Sequence, residues 1–92
     1  MYITVSIGNS DNRLTQTEWH NFVNDMKLVI QLNTIQIHFF GGAPNWDPWQ
    51  NVAWIAELEE GRLEGIQAAI TKVRERYKQD SAMVMIGEAR FI

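Results

Sequence analysis

The stretch from Gly41 to Asn51 is the richest in potential chemistry, because it holds two of the four tryptophans of the chain together with several amides. A hairpin turn needs only about two to five residues and has no use for indole rings. Trp46 and Trp49 offer broad, rigid faces on which a purine, a sugar or a partner side chain can stack, and Asn45, Gln50 and Asn51 can read hydrogen-bonding edges beside them. The alternative is that both indoles fold back and plug the open end of a small core. Trp54 differs from them, since its strand phase assigns it to the core. A second set, Asn9, Ser10 and Asp11, precedes a helix start, where free backbone N–H groups and the positive dipole end favour an anion such as phosphate. Asp11 would repel that anion unless it takes a sugar hydroxyl or a metal, and a plain turn closed by its own Asn and Asp side chains explains the same residues.

Asp11, Asp47 and Asp80 all fall on loops, so two carboxylates and some amide oxygens could gather a divalent ion. Their spacing matches no metal signature, and three separate solvated or capping aspartates are the simpler account. Of the basic residues, Lys72, Arg74, Arg76 and Lys78 fall in the last turns of a helix, where cations complement the dipole. Arg76 and Lys78 lie nearest the following Gln79, Asp80 and Ser81 and are the ones placed to neutralise phosphate. His20 and His38 are far apart on different elements, and with no cysteine in the chain there is no thiol nucleophile, disulfide or zinc-cysteine site. No catalytic residue, metal ligand or cofactor is assigned.

The elements that must hold these residues follow from periodicity. Ile3, Val5 and Ile7 alternate with Tyr2, Thr4 and Ser6, the period of a half-buried strand. Thr15 to Glu18 reads as a capping box, with Leu14 and Trp19 placed as its hydrophobic staple. Trp19, Phe22, Val23, Met26, Val29 and Ile30 then keep helical spacing up to Gln31 to Asn33. Ile35, Ile37 and Phe39 alternate as a second strand, and Val52, Trp54, Ala56 and Leu58 as a third that pairs with it. After the break at Glu59 to Gly61, Leu63, Ile66, Ile70, Val73 and Tyr77 mark a second helix. Ser81 to Ile86 reads as a fourth strand, with Phe91 and Ile92 continuing it past a bulge.

This order, βαββαβ, predicts a single α+β domain over residues 1–92 with the ferredoxin-like fold: a four-stranded antiparallel sheet carrying both helices on one face. The spatial order of that fold brings three loops to one end of the sheet: Gly8 to Asn12, Gly41 to Asn51, and Lys78 to Ser81. The other face exposes Tyr2, Thr4, Ser6, His38, Ala53 and Ile55, too apolar to stay wholly wet, which predicts a homo-oligomer.

A chain of 92 residues with 46% hydrophobic and 21% charged residues is one folded globule. Its net charge of -3 argues against indiscriminate binding to nucleic-acid phosphates. No apolar run approaches the ~18 residues that span a bilayer, and the first strand lacks a basic flank and a cleavage site. A cytoplasmic protein without membrane association is expected.

The combination Gly8-Asn9-Ser10-Asp11, Leu14-Thr15-Gln16 with Glu18-Trp19, Pro48-Trp49-Gln50-Asn51 with Trp54, and Gln79-Asp80-Ser81 resembles small uncharacterised proteins of actinobacterial phages and prophages, over most of the chain. The resemblance implies a phage origin, work inside a bacterial host cell and a part in host takeover, with no defined activity. Phages use small oligomeric proteins to sequester nucleotide signals of host defence. On that pattern Trp46 and Trp49 stack a base, Asn9, Ser10, Gln50, Asn51 and Gln79 hydrogen-bond the ligand, and Asp11 or Asp80 holds a ribose hydroxyl. Two other classes stay open. One is a protein-binding inhibitor anchored by the tryptophan loop. The other is a metal-dependent nuclease akin to small ferredoxin-like CRISPR-associated enzymes, against which stands Ile7-Gly8 in place of their tyrosine-aspartate pattern.

Overall fold

The computed structural model describes residues 1–9, 11–43 and 50–92. Six elements follow in the order β1 (Tyr2–Gly8), α1 (Gln16–Asn33), β2 (Gln36–Ala43), β3 (Asn51–Glu57), α2 (Leu63–Arg76) and β4 (Met83–Gly87). The strands form one antiparallel sheet in the order β2-β3-β1-β4, which is the ferredoxin-like arrangement. Ile3, Val5 and Ile7 of β1 and Val52, Trp54 and Ala56 of β3 point to the same side. There they pack in one cluster with Trp19, Phe22, Met26 and Ile30 of α1 and Ile66, Ile70 and Val73 of α2. One face of the sheet is therefore core, and the period-two alternation of the two central strands puts every second residue on the other face.

The helix starts differ in how firmly the sequence fixes them. Thr15 caps α1 by accepting from the Glu18 N–H at 3.1 Å, while the Glu18 carboxylate accepts from the Thr15 N–H at 3.0 Å. Both members of the staple, Leu14 and Trp19, are buried. That backbone bond, and then the one from the hydroxyl side, hold the Glu18 carboxyl below its ordinary value. By contrast α2 has no side-chain cap at Arg62. Its far end closes on Lys78 in the left-handed region (φ 55°), with Lys78 N–H donating to the Glu75 carbonyl and Gln79 N–H to the Arg74 carbonyl.

Three expectations are corrected. Strand β2 contains a bulge between Ile37 and Phe39, so Phe39 leaves the alternation begun by Ile37: it pairs with Ile55 on the open face, while Phe40 pairs with Trp54 on the core face. Ile35 precedes the strand and is exposed. Gly41, Gly42 and Ala43 belong to β2 rather than to the loop, which shortens the connection. Gly42 has φ 148°, and a Cβ there would lie 2.2 Å from the Asn51 carbonyl oxygen, so only glycine permits this close pairing. Finally, β4 ends at Gly87, and residues 88–92 leave the sheet with Phe91 and Ile92 exposed instead of extending it.

Candidate functional site

The loop end of the sheet is built from polar side chains that mostly bind one another. Asn9, the first residue past β1, is buried and works as a hub. Its amide Nδ2 donates to the Leu14 carbonyl at 3.1 Å and to Gln50 Oε1 at 2.9 Å, and its Oδ1 accepts from the Leu14 N–H at 3.0 Å. Its own backbone N–H extends the β1–β3 ladder by donating to the Gln50 carbonyl at 2.8 Å. Gln50, equally buried, exchanges amide hydrogen bonds with Gln16 in the first turn of α1, at 2.8 and 3.2 Å. These bonds tie the end of β1, the start of α1 and the start of β3 together. A buried amide is stable only when so satisfied, and the low dielectric around it strengthens each bond.

A second tie lies outside the first and is exposed. Arg13 lies between two carboxylates, with its Nε 3.3 Å from Asp11 and its Nη1 3.0 Å from Asp80. Asp11 also accepts from the Arg13 backbone N–H at 3.1 Å, a local turn that fixes the cation's stem. Arg74, at the end of α2, donates to the Gln79 carbonyl at 2.9 Å, and the buried Gln79 donates to the Tyr77 carbonyl at 3.1 Å. The β1–α1 loop, the end of α2 and the connection from α2 to β4 are thus joined as the topology requires.

The structure brings together Asn9, Asp11, Gln50, Asn51, Gln79 and Asp80 of the residues marked in the sequence. The side chains of Asn9, Gln50 and Gln79 are turned to internal partners, whereas Asn51, Asp80 and Ser81 are exposed. Arg76 is placed elsewhere: its Nη1 is 3.3 Å from Asp25 on α1. Asp25 lies ten positions past the Thr15 cap, ~15 Å along the helix axis. Ser10, Trp46, Asp47 and Trp49 lie outside the described residues. Among the described residues, no group of three or more His, Asp or Glu side chains is placed to hold a metal ion.

Two residues of the rim escaped the sequence reading. Arg13 was signalled by Asp11 two positions before it, a spacing that lets an aspartate accept from the backbone and pair with the side chain at once. Gln16 carried no signal, because its partner is 34 positions away.

The opposite surface of the same sheet has another character. Phe39, Ile55, Met83 and Met85 are all exposed there, with the Phe39 ring laid so closely over Gly41 that a Cβ at 41 would come within 2.8 Å of it. At one corner the Tyr2 and His38 rings meet at a tilt of 50°, centroids 5.5 Å apart, and His38 Nε2 is 3.4 Å from the Glu57 carboxylate. Burial first, then the charge and hydrogen bond of Glu57, then the charge of Glu88, raise the Tyr2 hydroxyl above its ordinary pKa.

No protein-family model matches the chain, and no curated protein matches it. None of the helices described is long and apolar enough to cross a membrane.

Proposed function

We propose that the protein binds a small nucleotide-type signalling molecule at the loop end of its sheet and holds it without turnover, as a phage counter-defence protein acting in the host cytoplasm. The observation that carries this reading is the cross-tied rim. Asn9, Gln16 and Gln50 fix the β3 flank of the loop that bears Trp46 and Trp49, and the pairing of Ala43 with Asn51 fixes its β2 flank; a stacking platform binds well only when its frame is already rigid. The exposed Asn51 and Ser81 supply hydrogen bonds to the ligand. Arg13, with more than half of its side chain exposed and both carboxylates steering it, takes the phosphate role that sequence position alone would give to Arg76. Asp11 and Asp80 serve by holding that guanidinium in place. The open face of the sheet pairs copies of the chain into a homo-oligomer, because its exposed Phe39, Ile55, Met83 and Met85 form an apolar patch.

Titration with a panel of cyclic and linear nucleotides, followed by tryptophan emission, tests the binding. A saturable change is expected with at least one of them, and Trp49→Ala should weaken it by ~1 to 3 kcal/mol while leaving the melting profile intact. The ligand should be recovered unchanged after heat denaturation of the complex. If no nucleotide alters the emission while the Trp46 and Trp49 loop captures a host protein, the inhibitor reading replaces this one. A hydrolysed product whose formation needs magnesium and is lost in Asp11→Asn would instead establish a phosphodiesterase.

A further inference from the structure

On the open face a hollow of about 310 Å³ lies between Tyr2 and Thr4 of β1, Ile55 of β3, Met85 of β4 and Glu88 of the segment that follows. Its floor is apolar, and the charge at its rim is negative: Glu88 borders it and Glu57 sits beside Tyr2. The Phe91 ring meets Tyr2 edge-on at 6.3 Å, which places residues 88–92 along the same corner. Within that segment Arg90 is exposed. Among the described residues it forms no ion pair or hydrogen bond, and it is the one Lys or Arg on the open face or in the segment after β4. An acidic hollow with an aromatic wall and an apolar floor fits a guanidinium on a hydrocarbon stem.

We propose that the occupant of this hollow is Arg90 of a second copy, so that two chains pair through their open faces with each Arg90 inserted toward the other's Glu88 and Tyr2. This rests on the self-association reading above and specifies how it is achieved. Symmetry makes the exchange reciprocal, since in a two-fold interface whatever residue 90 does to residue 88 of its partner is done in return. Area points the same way. Four strands about 4.8 Å apart, with 7, 8, 7 and 5 residues at about 3.3 Å each, give a flat footprint of about 430 Å². A stable pair buries about 800 Å² on each partner, so the sheet alone falls short. Residues 88–92 must contribute, and the almost free Phe91 and Ile92 bring the apolar surface that is missing. Charge demands it as well: two chains of net charge -3 repel each other, and Arg90 is the cation available at their contact.

Sedimentation of the whole chain with a charge-exchange pair tests the arrangement. The unaltered protein should dimerise, and Arg90→Glu or Glu88→Arg alone should each weaken dimerisation roughly tenfold or more by setting like charges against each other. An equimolar mixture of these two variants should recover dimers, because each cross-contact then joins a Glu to an Arg. A monomeric unaltered protein would overturn the self-association reading itself. A dimer indifferent to both substitutions, or a mixture no better than its components, would keep the dimer and overturn the Arg90 exchange.

Discussion

The loop rim and the open face belong to one sheet and treat their side chains in opposite ways. At the rim, polar groups are withdrawn from water and matched: Asn9 and Gln50 are buried, with partners at 2.8 to 3.2 Å. On the open face, residues that ordinarily belong inside stay wet; Phe39, Met83 and Met85 are each half exposed. The difference teaches that residue type alone does not say which surface binds. The buried amides of Asn9 and Gln50 stabilise the frame and leave ligand contact to exposed neighbours such as Asn51, whereas the open face holds unburied apolar surface whose removal from water is worth ~25 cal/mol per Å².

The largest effect separating the two regions is expected from Asn9→Ala. It strands the Leu14 N–H and removes a donor from the Leu14 carbonyl and from Gln50, so chemical denaturation should show a loss of ~2 to 3 kcal/mol. A loss below ~0.5 kcal/mol would mean that the rim is as tolerant as an ordinary surface, and the contrast would collapse.

A satisfied polar contact away from both regions calibrates the first. The Tyr77 hydroxyl donates to Asp25 across the two helices, and burial, followed by that hydrogen bond and the carboxylate's charge, pushes its pKa up to about 12. The folded value lies above the unfolded one of ~10, so the contribution is fully present below pH ~10 and is lost as pH rises through about 12. Urea melts at stepped alkaline pH should show the stability of the unaltered chain falling toward that of Tyr77→Phe in this window, by on the order of 2 kcal/mol at most. Parallel pH profiles for the two would show that the contact is not made in solution.

The smallest effect on folding is expected on the open face. Ile55→Lys should change the stability of the isolated chain by no more than ~0.5 kcal/mol while abolishing self-association in sedimentation. Unfolding by this substitution would show that the open face is core in all but name, and the comparison would then be between two buried regions.

Much of the fold was legible because its signals are local. The alternation of Ile3, Val5 and Ile7, the box from Thr15 to Glu18 and the helical spacing of Ile66, Ile70 and Val73 each lie within a few residues, and both members of the box act as read. The bulge was not legible. Whether Phe39 faces the core or the open side depends on the register of β2 against β3, and the run Ile35, Ile37, Phe39 is a good alternating strand without it. The rim shows the same limit in polar form. Asn9 is a turn residue whose amide closes locally on Leu14, but its second partner, Gln50, lies 41 positions later. Sequence reading could place both at the loop end from topology, but not decide that they would face each other. Arg13 was recoverable from Asp11; Arg76 was misassigned to that end because a helix terminus and a loop end share sequence neighbours but not directions.

The strand order also fixes a sequence of events in time. Strand β1 lies in the middle of the sheet, yet both of its neighbours, β3 and β4, come after it in the chain. At about 5 to 20 residues per second of synthesis, roughly 2 to 10 s separate the appearance of β1 from the completion of β3. During that interval Ile3, Val5 and Ile7 have no strand to pair with, while the β2–β3 hairpin needs only a short closure and can form as soon as it emerges. The β2–β3 hairpin is therefore expected to pair before β1 does, and the first strand is the one that waits.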